Sequence, residues 1–300
     1  MGKILKKIKA SHKWQLLVLF LLLIIGLSVF GYFKVNPVLP QLAIHFLNEV
    51  YLPQSEDVVL VFAPHPDDET IACGGYINES IKNGAEVYIV LVTDGNRHNL
   101  KVERYQEFEN ATKILGVPKE NLIYLNYQDS KVNEVNSEEL KEVLLKQIEK
   151  IQPNVLFYPH PDDSHKDHSI IGKVIEEILK DKKTQSDLKE SLQEYEDLIK
   201  EEKWEELEKI EEFTQKLFSY KYLVHHEDFP QPKKYAPDLF VLPPLNLITI
   251  DGGWEKFMLS PEIKENKEKA LRIYQSQFKN PFIKSLLESS IRENELFAVD

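Results

Sequence analysis

Short, uninterrupted apolar runs alternating with helix-patterned segments constrain this chain most. Val58–Ala63 (VVLVFA), Val87–Val92 (VYIVLV) and Val155–Tyr158 (VLFY) carry no polar face. A strand without a polar face is covered on both sides, as in the sheets of α/β proteins. Asn121–Leu125 reads as a further short strand. Helices are predicted between these runs, over 70–83, 102–115 and 137–151, with a fourth over 167–179. Gly84 closes the first, Gly116 and Pro118 end the second, and Leu140, Val143, Leu144 and Ile148 make the apolar stripe of the third. Strands alternating with helices imply right-handed crossovers and a mainly parallel sheet with helices on both faces.

The two ends of the chain differ in character. Trp14–Phe33 is an uncharged apolar stretch of 20 residues. At about 1.5 Å per helical residue it covers the roughly 30 Å of a bilayer core. Trp14, Tyr32 and Phe33 lie at its ends, where amphipathic rings favour the interface. Residues 1–34 hold six of the 37 Lys and Arg and none of the 49 Asp and Glu, so the rest of the chain carries a net charge of −18. The basic residues mostly precede the span, which puts residues 1–13 in the cytoplasm and residues 35–300 outside. A cleaved signal peptide is the competing reading, but Gly26-Leu27-Ser28 is a poor cleavage site. The segment is therefore taken as an uncleaved transmembrane helix. The acidic body repels phosphate backbones and excludes nucleic acid as a partner. Cys73 is the single cysteine, so no intrachain disulfide forms.

Residues 35–56, with Pro37, Pro40 and Pro53, read as a membrane-proximal connector with a short helix near 41–50. Residues 57–300 then form the main domain. Within it, 181–216 is rich in Lys and Glu and reads as an exposed helical insertion. Strands are expected at 220–224 and 245–250, and helices at 261–275 and 282–291.

Two clusters carry the chemistry. His65-Pro66-Asp67-Asp68-Glu69 follows the first strand, and His160-Pro161-Asp162-Asp163-Ser164-His165-Lys166-Asp167-His168 follows the fourth. Ligands of open α/β sheets bind beyond the carboxyl ends of strands, where both clusters fall. His and Asp suit a divalent metal with an open position, which activates water and polarises an amide carbonyl. A second carboxylate must then take a proton, and a donor must face the developing oxyanion. Asp67 and Asp68 can divide the metal and base roles. His165 and His168, three apart, share one helical face, and Asp163 and Asp167 are placed to orient them. His225 and His226 are candidates to border the pocket.

At these residues the chain resembles the PIG-L/LmbE family of zinc-dependent N-acetylglucosaminyl de-N-acetylases. The run Pro64-His65-Pro66-Asp67-Asp68-Glu69 matches its first signature and Asp163-x-His165-x-Asp167-His168 its second. Thr93-Asp94-Gly95, Arg104 with Glu107, Lys269-Ala270-Leu271 and Tyr274-Gln275-Ser276-Gln277 agree more loosely. The resemblance implies a Rossmann-like three-layer α/β domain with Zn2+, or another divalent ion such as Fe2+, on His65, Asp68 and His168. Asp67 would be the general base. His165, tuned by Asp167, would be the charged group facing the oxyanion. The expected activity is removal of the N-acetyl group from an N-acetylglucosamine-type glycan or glycolipid at the cell membrane. The rivals are a catalytically silent glycan-binding protein and a metal-dependent phosphoesterase; the latter usually needs two metals, and ligands for one are present.

Overall fold

The computed structural model describes residues 2–35, 39–96, 99–180, 217–248 and 253–299. The expected insertion at 181–216 lies outside the described residues.

Helix α1 (Gly2–Val35) contains an apolar stretch, Trp14–Tyr32, long enough to cross a membrane and not buried in the body. A signal sequence has the same length and composition.

The body is one mixed eight-stranded sheet. Its strands are β1 (Asn48–Glu49), β2 (Val58–Ala63), β3 (Glu86–Thr93), β4 (Leu122–Tyr127), β5 (Val155–Pro159), β6 (Phe218–Tyr222), β7 (Gly253–Met258) and β8 (Asn294–Val299). They lie in the order β1-β7-β8-β6-β5-β2-β3-β4. The expected parallel core, β6-β5-β2-β3-β4, is present. The sheet is mainly parallel as expected but mixed, because β8 runs antiparallel to both β6 and β7. Asn294–Val299 enters the sheet directly after a helix that ends at Ser289, and it inserts between two strands that run the other way.

Helices cover both faces. On one face, α2 (Asp68–Lys82), α3 (Lys101–Ile114), α6 (Pro261–Leu271) and α8 (Pro281–Ser289) pack on Val59, Val61, Val155 and Phe157. On the other, α4 (Ser137–Ile151) and α5 (Lys166–Lys180) pack on Leu60, Phe62, Leu156 and Tyr158. Alternate residues of β2 and β5 thus feed opposite cores, as the period of two demands. Asn136 caps α4 by accepting from the amides of Glu138 and Glu139 at 2.9 and 3.3 Å.

Residues 245–248 form a turn, closed by Leu247 N–H to Pro244 C=O at 3.0 Å, instead of the start of the strand expected there. Pro243 and Pro244 deny the segment ladder donors, and the strand begins later, at Gly253. The helix expected at 261–275 is broken at Arg272 and followed by the short α7 (Gln275–Phe278). The connector near 41–50 holds a 3-10 turn, Gln41–Phe46, then β1.

The topology places the site. The chain leaves β2 toward β3 on one side, whereas β5, its other neighbour, leads away to β6. Between the carboxyl ends of two such strands the loops diverge and leave a crevice.

Candidate metal and active site

Both sequence clusters meet in that crevice. His65 leaves the end of β2, Asp68 opens α2, and His168 stands in the first turn of α5. His65 Nδ1 is 3.2 Å from Asp68 Oδ2 and 3.2 Å from His168 Nε2, and His168 Nε2 is 3.0 Å from Asp68 Oδ2. Three donor atoms about 3.1 Å apart can each stand about 2.1 Å from one ion lying just above their plane. All three side chains are buried, so their polar atoms would be costly to gather without a shared charge. The residues therefore fit a divalent metal, with one side of the trio left for other ligands.

The remaining ring nitrogens are held by carboxylates. His65 Nε2 lies 3.2 Å from Asp167 Oδ2 and 3.6 Å from Asp129 Oδ1. His168 Nδ1 lies 3.4 Å from Asp163 Oδ2. Carboxylates on the outer nitrogens fix the protons there and turn the other nitrogens inward. Asp163 also accepts from the amides of His165, Val224 and His225, joining the loop after β6 to the second cluster. Asp167 accepts from the amides of Ser130 and Val132 at 2.7 and 3.1 Å.

Asp167 acts on two rings: its carboxylate meets His65 Nε2 from the other motif at 3.2 Å, while its amide donates to His165 Nδ1 at 3.3 Å and its charge raises His165. A ring that accepts at Nδ1 carries its proton on Nε2. Burial, followed by the charges of His65 and His168, pulls His165 down to about 4.

The acidic surroundings favour positive charge in the trio. Burial opposes protonation of His65, but its bonds to Asp167 and Asp68 push it up to about 9. Burial likewise opposes His168, yet Asp68 and Asp163 hold it well above its usual range.

Asp67 sits beside the trio in an unusual conformation, φ 130° and ψ −28°. Its amide donates to Glu69 Oε2 at 3.1 Å. Arg104 grips the same turn, donating to Pro66 C=O at 2.6 Å and to Asp67 Oδ2 at 3.2 Å. Burial pushes the Asp67 carboxyl up to about 8 despite Arg104. Gly95, at φ +58°, packs under Pro66; a Cβ there would lie 2.9 Å from Pro66 Cδ. Glu107, the companion of Arg104 in the sequence reading, instead accepts from Ser276 N–H and Oγ at 2.7 and 2.5 Å.

Above these groups opens a cavity of about 370 Å³. Asp67, Arg104, Asp129, His165 and His225 reach it beside His65, and Ile71, Leu100, Ile283 and Leu286 form an apolar wall. His225 borders the cavity as expected; His226 turns away to Asn246 at 3.3 Å. Sequence reasoning missed Asp129, which links His65 to Arg104 from the loop after β4. Its position beyond a strand's carboxyl end was the available signal.

Residues 60–179, which contain His65, Asp67, Asp68, Arg104, Asp129, Asp163, His165, Asp167 and His168, match the PIG-L family profile, described as GlcNAc-PI de-N-acetylase. That segment is similar to a PIG-L domain. The chain is 30% identical over 126 residues to the diacetylchitobiose deacetylase of Thermococcus kodakarensis, covering 38% of this chain and 46% of that protein. It is 28% identical over 139 residues to a probable N-acetyl-alpha-D-glucosaminyl L-malate deacetylase 2 of Bacillus anthracis, covering 42% and 61%. The matches thus span about half to three-fifths of these relatives. Likeness of fold extends beyond the matched segment. The crystal structure of the A40926 pseudoaglycone deacetylase superposes with a TM-score of 0.53 at 15% identity, covering 82% of this chain and 97% of that one.

Proposed function

We propose that this protein is a membrane-anchored, zinc-dependent amide hydrolase that removes the N-acetyl group from an N-acetylglucosamine-type glycan or glycoconjugate. One observation carries the reading: donor atoms of His65, Asp68 and His168, drawn from two distant motifs, lie 3.0–3.2 Å apart in a buried cluster beside an open cavity. The deacetylase names of the relatives supply the bond and the sugar. Zinc, when bound, polarises the amide carbonyl and acidifies a water.

The chain's own groups supply the rest. Asp67, steadied by Arg104, accepts the water's proton on its carboxylate; its upward-shifted acidity lets it return that proton to the departing amine near neutral pH. His165 donates from Nε2 toward the oxygen of the former carbonyl, a neutral donor for a developing negative charge. Asp129, Asp163 and Asp167 hold the imidazoles in place. Residues 14–33 act as an uncleaved span with residues 1–13 in the cytoplasm and the catalytic domain, 57–300, outside. The substrate is then a cell-surface or secreted amino sugar.

The test is acetate release from N-acetylglucosamine, its short β-linked oligosaccharides and a glycolipid carrying it, by the full chain in detergent. Activity should vanish with a chelator and return with Zn2+. A folded protein that binds zinc stoichiometrically yet releases no acetate from any of these would refute the reading.

A further inference from the structure

The 3-10 turn Gln41–Phe46 is fastened to the body in a way that forces apolar side chains outward. Gln41 exchanges two hydrogen bonds with the Phe240 backbone, at 3.2 and 2.7 Å. Lys256 Nζ donates to the carbonyls of Ile44 and Leu47 at 3.0 and 2.9 Å. The next residues pair with β7. Ile44 is thereby buried, whereas Leu42 is 73% and Phe46 87% exposed. Phe46 also edges an open cavity of about 460 Å³ whose walls include Leu39, Leu47, Pro243 and Ile248.

What covers this face follows from chain connectivity. Helix α1 ends at Val35. Four residues reach at most about 14 Å, so Leu39 stays that close to the end of α1, one helical turn beyond the apolar span. A face this near the span is presented to the lipid headgroup layer, and Leu42 and Phe46 are the side chains such a boundary accepts.

We propose that Leu42, Phe46 and the cavity beside them form a bilayer-docking surface that seats the body on the membrane α1 crosses. The inference rests on the anchor reading above and adds a fixed orientation: the clamps by Gln41 and Lys256 transmit the docked pose to the sheet edge.

The test places an environment-sensitive fluorophore on single cysteines in the full chain, with Cys73 replaced by Ala, reconstituted in phosphatidylcholine vesicles. The sites are Leu42→Cys and Phe46→Cys, with Phe20→Cys inside the span and Val102→Cys, 83% exposed on the body, as references. Labels at 42 and 46 should be quenched several-fold more by spin-labelled lipid than by aqueous iodide, like the label at 20 and unlike that at 102. If 42 and 46 follow 102 while 20 follows lipid, docking is overturned and the anchor stands. If 42 and 46 resist both quenchers, a protein covers the face and docking is likewise overturned. If 20 itself follows iodide, the anchor fails and docking with it.

Discussion

Asp67 shows how a single residue is held where its chemistry needs it. A non-glycine residue at φ 130° costs of order 1–3 kcal/mol, so the surroundings must impose the conformation. Glu69 does so from within the motif by accepting the Asp67 amide. Glu69 is itself fully buried and fixed by hydroxyl donors on Thr70 and Tyr274, the latter at 2.5 Å. Burial pushes Glu69 up to about 7, while those bonds work to keep it ionised. A residue of the carboxyl-terminal part thus holds the turn that carries the proposed base. Asp67→Asn keeps shape but cannot take a proton, so zinc content should persist while turnover falls on the order of 100-fold; undiminished turnover would remove Asp67 from the base role. Tyr274→Phe deletes one donor to Glu69, and the consequence should travel through Asp67. The expected result is a kcat lowered about 10-fold with KM and metal content unchanged, because small misplacements of a reacting group are costly. Glu69→Ala should lower kcat further and Glu69→Gln restore part of it. If all three variants lose stability but keep kcat per bound metal, the pair is only structural.

At the scale of elements, position is set by how closely α5 approaches β5. Gly172 allows the contact: a Cβ there would fall 2.3 Å from the Pro159 carbonyl oxygen, which is backbone and cannot swing aside. Gly172→Ala must therefore push α5 away from the strand end, carrying Asp167 and His168 with it. The cost should be about 1–3 kcal/mol of stability, with zinc affinity weakened as the trio opens. Lys173→Ala, on the exposed side of the same helix, is the control and should change neither. Equal zinc affinity in the two variants by competition with a chromophoric chelator would disconnect helix seating from the site. The same elements explain what the sequence disclosed. Val58–Ala63 and Ser137–Ile151 appear with the bounds their residues predict, because a two-sided apolar run and an amphipathic stripe are local signals. Strands β7 and β8 were illegible because GWEKFM and NELFAV mix charged with apolar residues and are strands by pairing with each other and with β1 and β6. The convergence of the two motifs was legible from their places after strands. The service of Asp167 to His65, 102 positions away, was not, since nothing in the spacing of the second motif says which ring its carboxylate meets.

Across the whole molecule, the site behaves as a sink for positive charge. The chain carries a net charge of −12, and Asp68, Asp129, Asp163 and Asp167 gather around two imidazoles in the interior. Such a site fills with protons when no metal is present, as the upward shifts of His65 and His168 show. The sign of the linkage follows. Both groups bind protons more tightly folded than unfolded, where a histidine titrates near about 6.5. Their contribution to the metal-free fold is therefore complete below about pH 6.5 and is lost as pH rises through about 9, the value His65 reaches. Asp67, also shifted upward, to about 8, works in the same direction over a lower range. A bound divalent ion replaces the protons, and because His must be neutral to bind, its affinity rises where the protons leave. Thermal unfolding of the full chain in detergent should show Tm falling between pH 6.5 and 9 with a chelator present, by an amount reflecting a few kcal/mol. With saturating zinc the same pH rise should leave Tm level, so the gap between the two curves should widen steadily. Metal-free and zinc-loaded curves that stay parallel over that range would mean that protons and metal do not compete for these two imidazoles, and the ligand set would have to be sought elsewhere in the crevice.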